Sequence, residues 1–233
     1  MNREPQPPQG CILTRLDHGP TAIKDLKNSL KNTWMNETRK RQIITMLVLG
    51  VFLWLIYFEY THHIEEYIAD TLIFMGVTIA FHIFYKKLNL DLPSYLFLLL
   101  AMLLHNAGAF GWYNISPLPM QWDHITHLFG SIGPTLAIFR WCGQGMTRKS
   151  MLYTTIIILL ATMGVGAIVE LYEFAGYLTV GEGVGGLGQG EGDLTTEIGE
   201  GPWLNTMLDI VFNLLGTIIG IGIGYALKYH QQI

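Results

Sequence analysis

Six apolar runs, at about residues 43–60, 68–86, 93–112, 123–141, 150–178 and 204–227, take up most of this 233-residue chain. Lipid leaves no backbone N–H or C=O unpaired, so runs of this length must close their hydrogen bonds within themselves as helices. Only 14% of the residues are charged and the mean hydropathy is +0.33, against about 25% charged in soluble domains. The expectation is an all-α protein: one membrane domain, residues 43–228, built as a six-transmembrane-helix bundle and preceded by a polar segment, residues 1–42.

The basic residues orient that bundle. All 14 Lys and Arg fall before the first run, between the second and third, at the end of the fourth and in the connection after it, or after the sixth. The intervening connections carry only acids, among them Glu59, Glu65, Glu66, Glu182 and Asp193. By the positive-inside rule both termini are expected in the cytoplasm of a cell-membrane protein. Cys11 and Cys142 then share the reducing side without metal-ligand spacing and read as bystanders. No cleavable signal is expected, and the first run should act as an uncleaved anchor.

The connections differ in character. Residues 1–20 are rich in Pro and Gly. Ile23, Leu26, Leu30 and Trp34 recur at helical spacing among Lys24, Lys27 and Lys31, which suits either a basic amphipathic helix on the inner leaflet or a simple leader. His62, His63, Glu65 and Glu66 read as a solvated outer turn, with metal binding the sharper alternative. The outer connection, residues 179–203, packs seven glycines into positions 181–192, and could be a linker or a lid over the outer mouth. Gly216, Gly220 and Gly224 form a stripe suited to close helix packing.

The functional signal is charge inside the apolar runs. Asp123 and His127 are spaced i and i+4, Glu170 and Glu173 i and i+3, Asp209 and Asn213 i and i+4, so each pair shares a helix face. His105 and Asn106 sit near the outer end of the third run, with Tyr113 just beyond. Although these runs alternate in direction, every polar set falls in the outer half, about 2–15 Å below the surface at ~1.5 Å per residue. A charge in hydrocarbon costs at least roughly 2.5 kcal/mol, and such residues normally serve a site. The aromatic residues ringing the run ends, such as Trp112, Trp122 and Trp203, need only be an interfacial belt.

Two histidines among several carboxylates make a ligand set for a divalent metal such as zinc. In that reading His105, Asp123, His127 and Asp209 ligate, Glu170 and Glu173 act as catalytic bases toward water, and Asn213, Asn106 and Tyr113 lend polar support. The same groups could relay protons in a permease, or form a hydrogen-bond network that only specifies packing.

The His105…Tyr113 pair, the WDHITHLFGS segment, the ELYE of the fifth run and the GQGEGD…NTMLDIVFNLLG stretch together resemble the YjdF-like family of bacterial and archaeal integral membrane proteins, across about residues 43–227. A looser likeness runs to the VanZ-like membrane proteins. The resemblance implies a multi-pass protein in which Asp123, His127, Glu170, Glu173 and Asp209 form a shared site. This chain departs from the YjdF-like pattern in a longer glycine loop and in Asn205, where an Asp is expected.

Three functions follow from the residues: an intramembrane metal-dependent hydrolase or transferase acting on a lipid-linked or amphipathic substrate, a proton- or cation-coupled permease, or a scaffold. The inner halves of the runs, such as SYLFLLLAML, are almost purely apolar, which favours a one-sided site over a through-path. No nucleotide-binding or nucleophile-elbow motif is present, and the basic residues serve the membrane boundary. Membrane lipids are the expected partners, and nucleic acid is not.

Overall fold

A computed structural model describes residues 20–64, 67–113, 115–143, 146–147, 149–180 and 202–230, with side chains in the first helix from residue 37 onward. The basic amphipathic face, the acidic half of the HHIEE turn and the glycine-rich loop lie outside the described residues, as does the Tyr177 side chain. Six α-helices and no strand occur among the described residues: α1 (Pro20–His62), α2 (Ile68–Phe84), α3 (Leu92–Asn106), α4 (Trp122–Cys142), α5 (Met151–Val180) and α6 (Pro202–His230). Four segments are long and apolar enough to cross a membrane: Glu37–His62, Leu92–Phe110, Met151–Gly176 and Trp203–Lys228. Helix α2 is apolar but shorter. The chain forms two compact units, the first ending at Lys40. In the first, Lys40 Nζ pairs with Glu37 Oε1 at 3.1 Å along one helix turn.

The unit from Arg41 onward is organised around α4, which packs against α3, α5 and α6. The α4–α6 contact is made by the glycine stripe. A Cβ at Gly216 would lie 2.1 Å from the Leu128 carbonyl oxygen, one at Gly220 2.7 Å from Thr135 Cβ, and one at Gly224 2.7 Å from the Phe139 ring. The two backbones therefore meet more closely than any side chain would allow. On the other flank, a Cβ at Gly133 would come within 2.9 Å of the Leu98 backbone nitrogen of α3.

Local signals fix the helix ends that frame this contact. Asp91 caps α3, accepting from the Ser94 backbone N–H at 3.0 Å, with Pro93 in the first turn. At its far end α3 tightens into a 3₁₀ turn, Ala107–Phe110, and Gly111 turns the chain at φ +78°, a conformation that favours glycine. Trp122 at the start of α4 donates its indole N–H to the Leu104 carbonyl at 3.0 Å. Within α4, Pro134 cannot donate to the carbonyl one turn back.

A core of Val48, Phe52, Leu55, Tyr85, Leu90, Tyr95, Leu99 and Met102 joins α1 to α2 and α3. Thr45 holds its inner end, bonded to Tyr95 Oη at 2.6 Å and His82 Nδ1 at 3.0 Å. Glu59, counted in the sequence among the outer acids, is fully buried, its Oε1 accepting from Thr71 Oγ1 at 2.8 Å.

Candidate functional site

Helices α4, α5 and α6 bring Asp123, His127, Glu170, Glu173 and Asp209 together around the His127 ring. Its Nε2 lies 3.5 Å from Asp123 Oδ1 and 3.9 Å from Asp209 Oδ1, and its Nδ1 lies 3.5 Å from Glu170 Oε1. Two triads of possible ligand atoms, Asp123–His127–Asp209 and His127–Glu170–Glu173, each fall within 4.8 Å. His127 is 7% exposed and Asp209 1%.

The two triads differ in how fully their oxygens are used. Asp209 is engaged on both sides, Oδ1 to His124 Nδ1 at 3.0 Å and Oδ2 to the Asn205 amide at 3.0 Å. The same Asn205 amide reaches Asp123 Oδ2 at 3.5 Å, and Thr126 Oγ1 approaches Asp123 Oδ1 at 3.4 Å. Glu170 Oε1, by contrast, is buried and accepts no hydrogen bond. The charge is lopsided. No Lys or Arg occurs in residues 88–139 or 150–227, and the groups in contact with this carboxylate cluster that can carry positive charge are His124 and His127.

Asn213 lies one turn along α6 from Asp209. Its Oδ1 accepts from Ser131 Oγ at 2.7 Å, while its Nδ2 is buried without a partner. A Cβ at Gly166 would stand 2.8 Å from that Nδ2, so glycine leaves room for the amide.

A cavity of about 280 Å³ opens beside the cluster. His127, Glu173 and Asn213 line it, as do Asp70 of α2 and His105 of α3. His105, which the sequence grouped with His127 as a ligand, falls in neither triad. His105 Nε2 lies 3.6 Å from Asp70 Oδ2, and its Nδ1 is bonded to Tyr113 Oη at 3.0 Å. The Tyr113 ring occupies the space a Cβ at Gly108 would take. Burial, reinforced by the Asp123 carboxylate, holds the Tyr113 hydroxyl well above the usual phenol range, so it remains a donor to His105. Asn106 is fully buried, makes no side-chain hydrogen bond and does not line the cavity.

Sequence reasoning missed Asp70, His124 and the role of Asn205. Asp70 stands three residues into an apolar run, the same signal that marked Asp123. His124 lies one residue off the Asp123–His127 face, yet its ring stacks on Phe212 at 4.7 Å and meets Asp209. Asn205 replaces an expected carboxylate with an amide that bridges two others, where a further negative charge would have added repulsion.

Long apolar helices gathered around buried histidines and carboxylates define a helical membrane protein with a polar interior. The chain belongs to the family described as "Predicted membrane protein (DUF2238)", whose model matches residues 41–230, in agreement with the YjdF-like resemblance. No curated protein and no solved structure matches it.

Proposed function

We propose that the protein spans the cell membrane six times with both termini in the cytoplasm, and that it binds a divalent metal such as zinc at His127, Glu170 and Glu173 to hydrolyse or transfer a group on an amphipathic substrate. The observation that carries the metal is the charge imbalance. Carboxylates clustered without Lys or Arg repel one another in low dielectric, and a bound cation would relieve that repulsion.

The choice of triad follows from which atoms are already committed. Asp123 and Asp209 have their oxygens engaged by Asn205, His124 and Thr126. Glu170 Oε1 has no such donor, and Glu173 and His127 face the cavity. Asp123, on the far nitrogen of His127, then orients the ring as a carboxylate behind a metal-bound histidine. This reassigns Glu170 and Glu173 from bases to ligands and Asp123 and Asp209 from ligands to supports. Three protein ligands leave one position for water, the arrangement of catalytic zinc sites, where the metal supplies a hydroxide at neutral pH. The Asp70–His105–Tyr113 group beside the cavity is placed to exchange a proton with substrate.

Helix α4 is the span whose composition argues least for a membrane, and its position explains why. Its 21 residues reach about 31 Å, and its polar side chains face α3, α5 and α6 rather than lipid. Reporters fused at residues 90 and 146 should read cytoplasmic and one at 190 external. A cytoplasmic reading at 190 would remove the shared outer depth of the site. Elemental analysis of the detergent-purified protein should find about one divalent metal per chain; a metal-free protein that keeps its fold would sink the metal reading.

A further inference from the structure

The cavity is ringed by α2, α3, α4 and α5, with Asn213 of α6 behind. Successive helices of the ring pack on one another, α2 on α3, α3 on α4 and α4 on α5, but α5 and α2 form no comparable interface. The ring is therefore weakest between α2 and α5. Ile73 of α2 and Val165, Val169 and Tyr172 of α5 line the cavity and are 38–44% exposed. In a membrane-spanning bundle an opening between α2 and α5 meets hydrocarbon, so it would join the cavity to the bilayer rather than to water.

The cavity has a polar end and an apolar one. Asp70, His105, His127 and Glu173 mark the outer end, while Phe74, Met102 and Val165 mark the inner part. From Thr162 to Glu173 it follows α5 for 11 residues, about 16 Å at ~1.5 Å per residue. At about 280 Å³ it stands at the small end of ligand cavities, roughly 300–1,000 Å³, so it suits one chain and not a whole two-chain lipid.

Two donors in the wall have no partner. Asn213 Nδ2 and Thr162 Oγ1 both belong to cavity-lining residues that are at least 96% buried, and neither makes a hydrogen bond. Because Ser131 Oγ donates to Asn213 Oδ1, the amide is oriented with its N–H₂ unpaired. An unsatisfied buried donor is costly, and an acceptor oxygen in the ligand removes that cost. Ser131 follows His127 by four residues, which puts the Asn213 amide one helix turn inward of the histidine.

We propose that the cavity takes one hydrocarbon chain of an acyl-ester lipid, admitted from the bilayer between α2 and α5, with the ester carbonyl oxygen held by Asn213 and Thr162 and the polar group at His127 and Glu173. This deepens the preceding reading by naming its substrate class, and it rests on the membrane-spanning arrangement. Hydrocarbon accounts for the apolar lining, the seam accounts for how it arrives, and a carbonyl accounts for the two unspent donors.

The test uses the full chain in vesicles of dialkyl-ether phosphatidylglycerol containing a trace of diacyl lipid with a diazirine in the acyl chain. After irradiation, labelled residues are mapped by mass spectrometry. Ile83 and Leu152, both more than 60% exposed, report lipid that merely surrounds the protein; Met102, 6% exposed, reports a chain inside. Met102 should be labelled. Val169→Trp, which narrows the seam, should lower that labelling several-fold and leave Ile83 and Leu152 unchanged. Unlabelled diacyl lipid should compete at Met102 several-fold better than its dialkyl ether analogue, which lacks the carbonyl, and Asn213→Leu should erase that difference. Labelling confined to Ile83 and Leu152 overturns the proposal, and equal competition by ester and ether overturns the role given to Asn213 and Thr162. Metal content measured on the same samples keeps the two readings apart: metal present with Met102 unlabelled defeats only the lipid site, and Met102 labelled without metal defeats only the metal.

Discussion

Gly216→Ala is expected to lower the melting temperature of the purified protein sharply, whereas Gly222→Ala, six residues along the same helix, leaves it unchanged. A methyl at position 216 meets the Leu128 backbone carbonyl at 2.1 Å, and a backbone cannot rotate aside as a side chain can. Nothing lies within 4 Å of the corresponding position at Gly222. Overpacking of this kind costs about 1–3 kcal/mol, and leucine at 216 should exceed that and yield aggregated protein. Because α6 carries Asn205, Asp209 and Asn213, moving it away from α4 should also disband the site. Equal melting temperatures for the two alanine variants would show that α6 does not lie against α4 by this stripe.

Glu170→Gln should reduce bound metal by an order of magnitude or more while the protein stays folded. The substitution keeps the shape of the side chain and removes the charge from an oxygen 3.5 Å from His127 Nδ1. Loss of one protein ligand or its orienting partner commonly costs 10–100-fold in affinity. Asp209→Asn offers the contrast. Its carboxylate is held by His124 and Asn205, so the variant should retain metal but lose stability as the His124 contact weakens. If Asp209→Asn strips the metal and Glu170→Gln does not, the ion belongs to the Asp123–His127–Asp209 triad instead.

Much of this arrangement could be read from spacing. Asp123 and His127 lie one turn apart, as do Asp209 and Asn213, and the expected alternation of the runs puts both pairs and the ELYE motif at one depth. A charge at bilayer depth has few places to go, which makes such positions legible. The Gly216, Gly220 and Gly224 stripe announced a close helix contact, although not that α4 would be the partner. What spacing could not give was partnership across helices. His105 and Asp70 belong to different runs, and only packing reveals that they meet each other and line the same cavity as His127 and Glu173. Nor could spacing tell which carboxylates would be occupied. Asp209 and Glu170 look alike in sequence, and the difference between them lies in Asn205 and His124, which reach one and not the other. Nor could spacing show that Glu59, in the last turn of α1, is buried and bonded to Thr71.

The central claim is that a metal ion sits on the cavity side of His127. Anomalous diffraction from crystals of the protein, recorded at the absorption edge of the metal found by elemental analysis, locates such an ion directly. The account predicts one peak about 2.0–2.2 Å from His127 Nδ1 and from an oxygen each of Glu170 and Glu173, with Asp123 on the opposite nitrogen. A map without a peak there, with His127 bonded directly to Glu170, would contradict it.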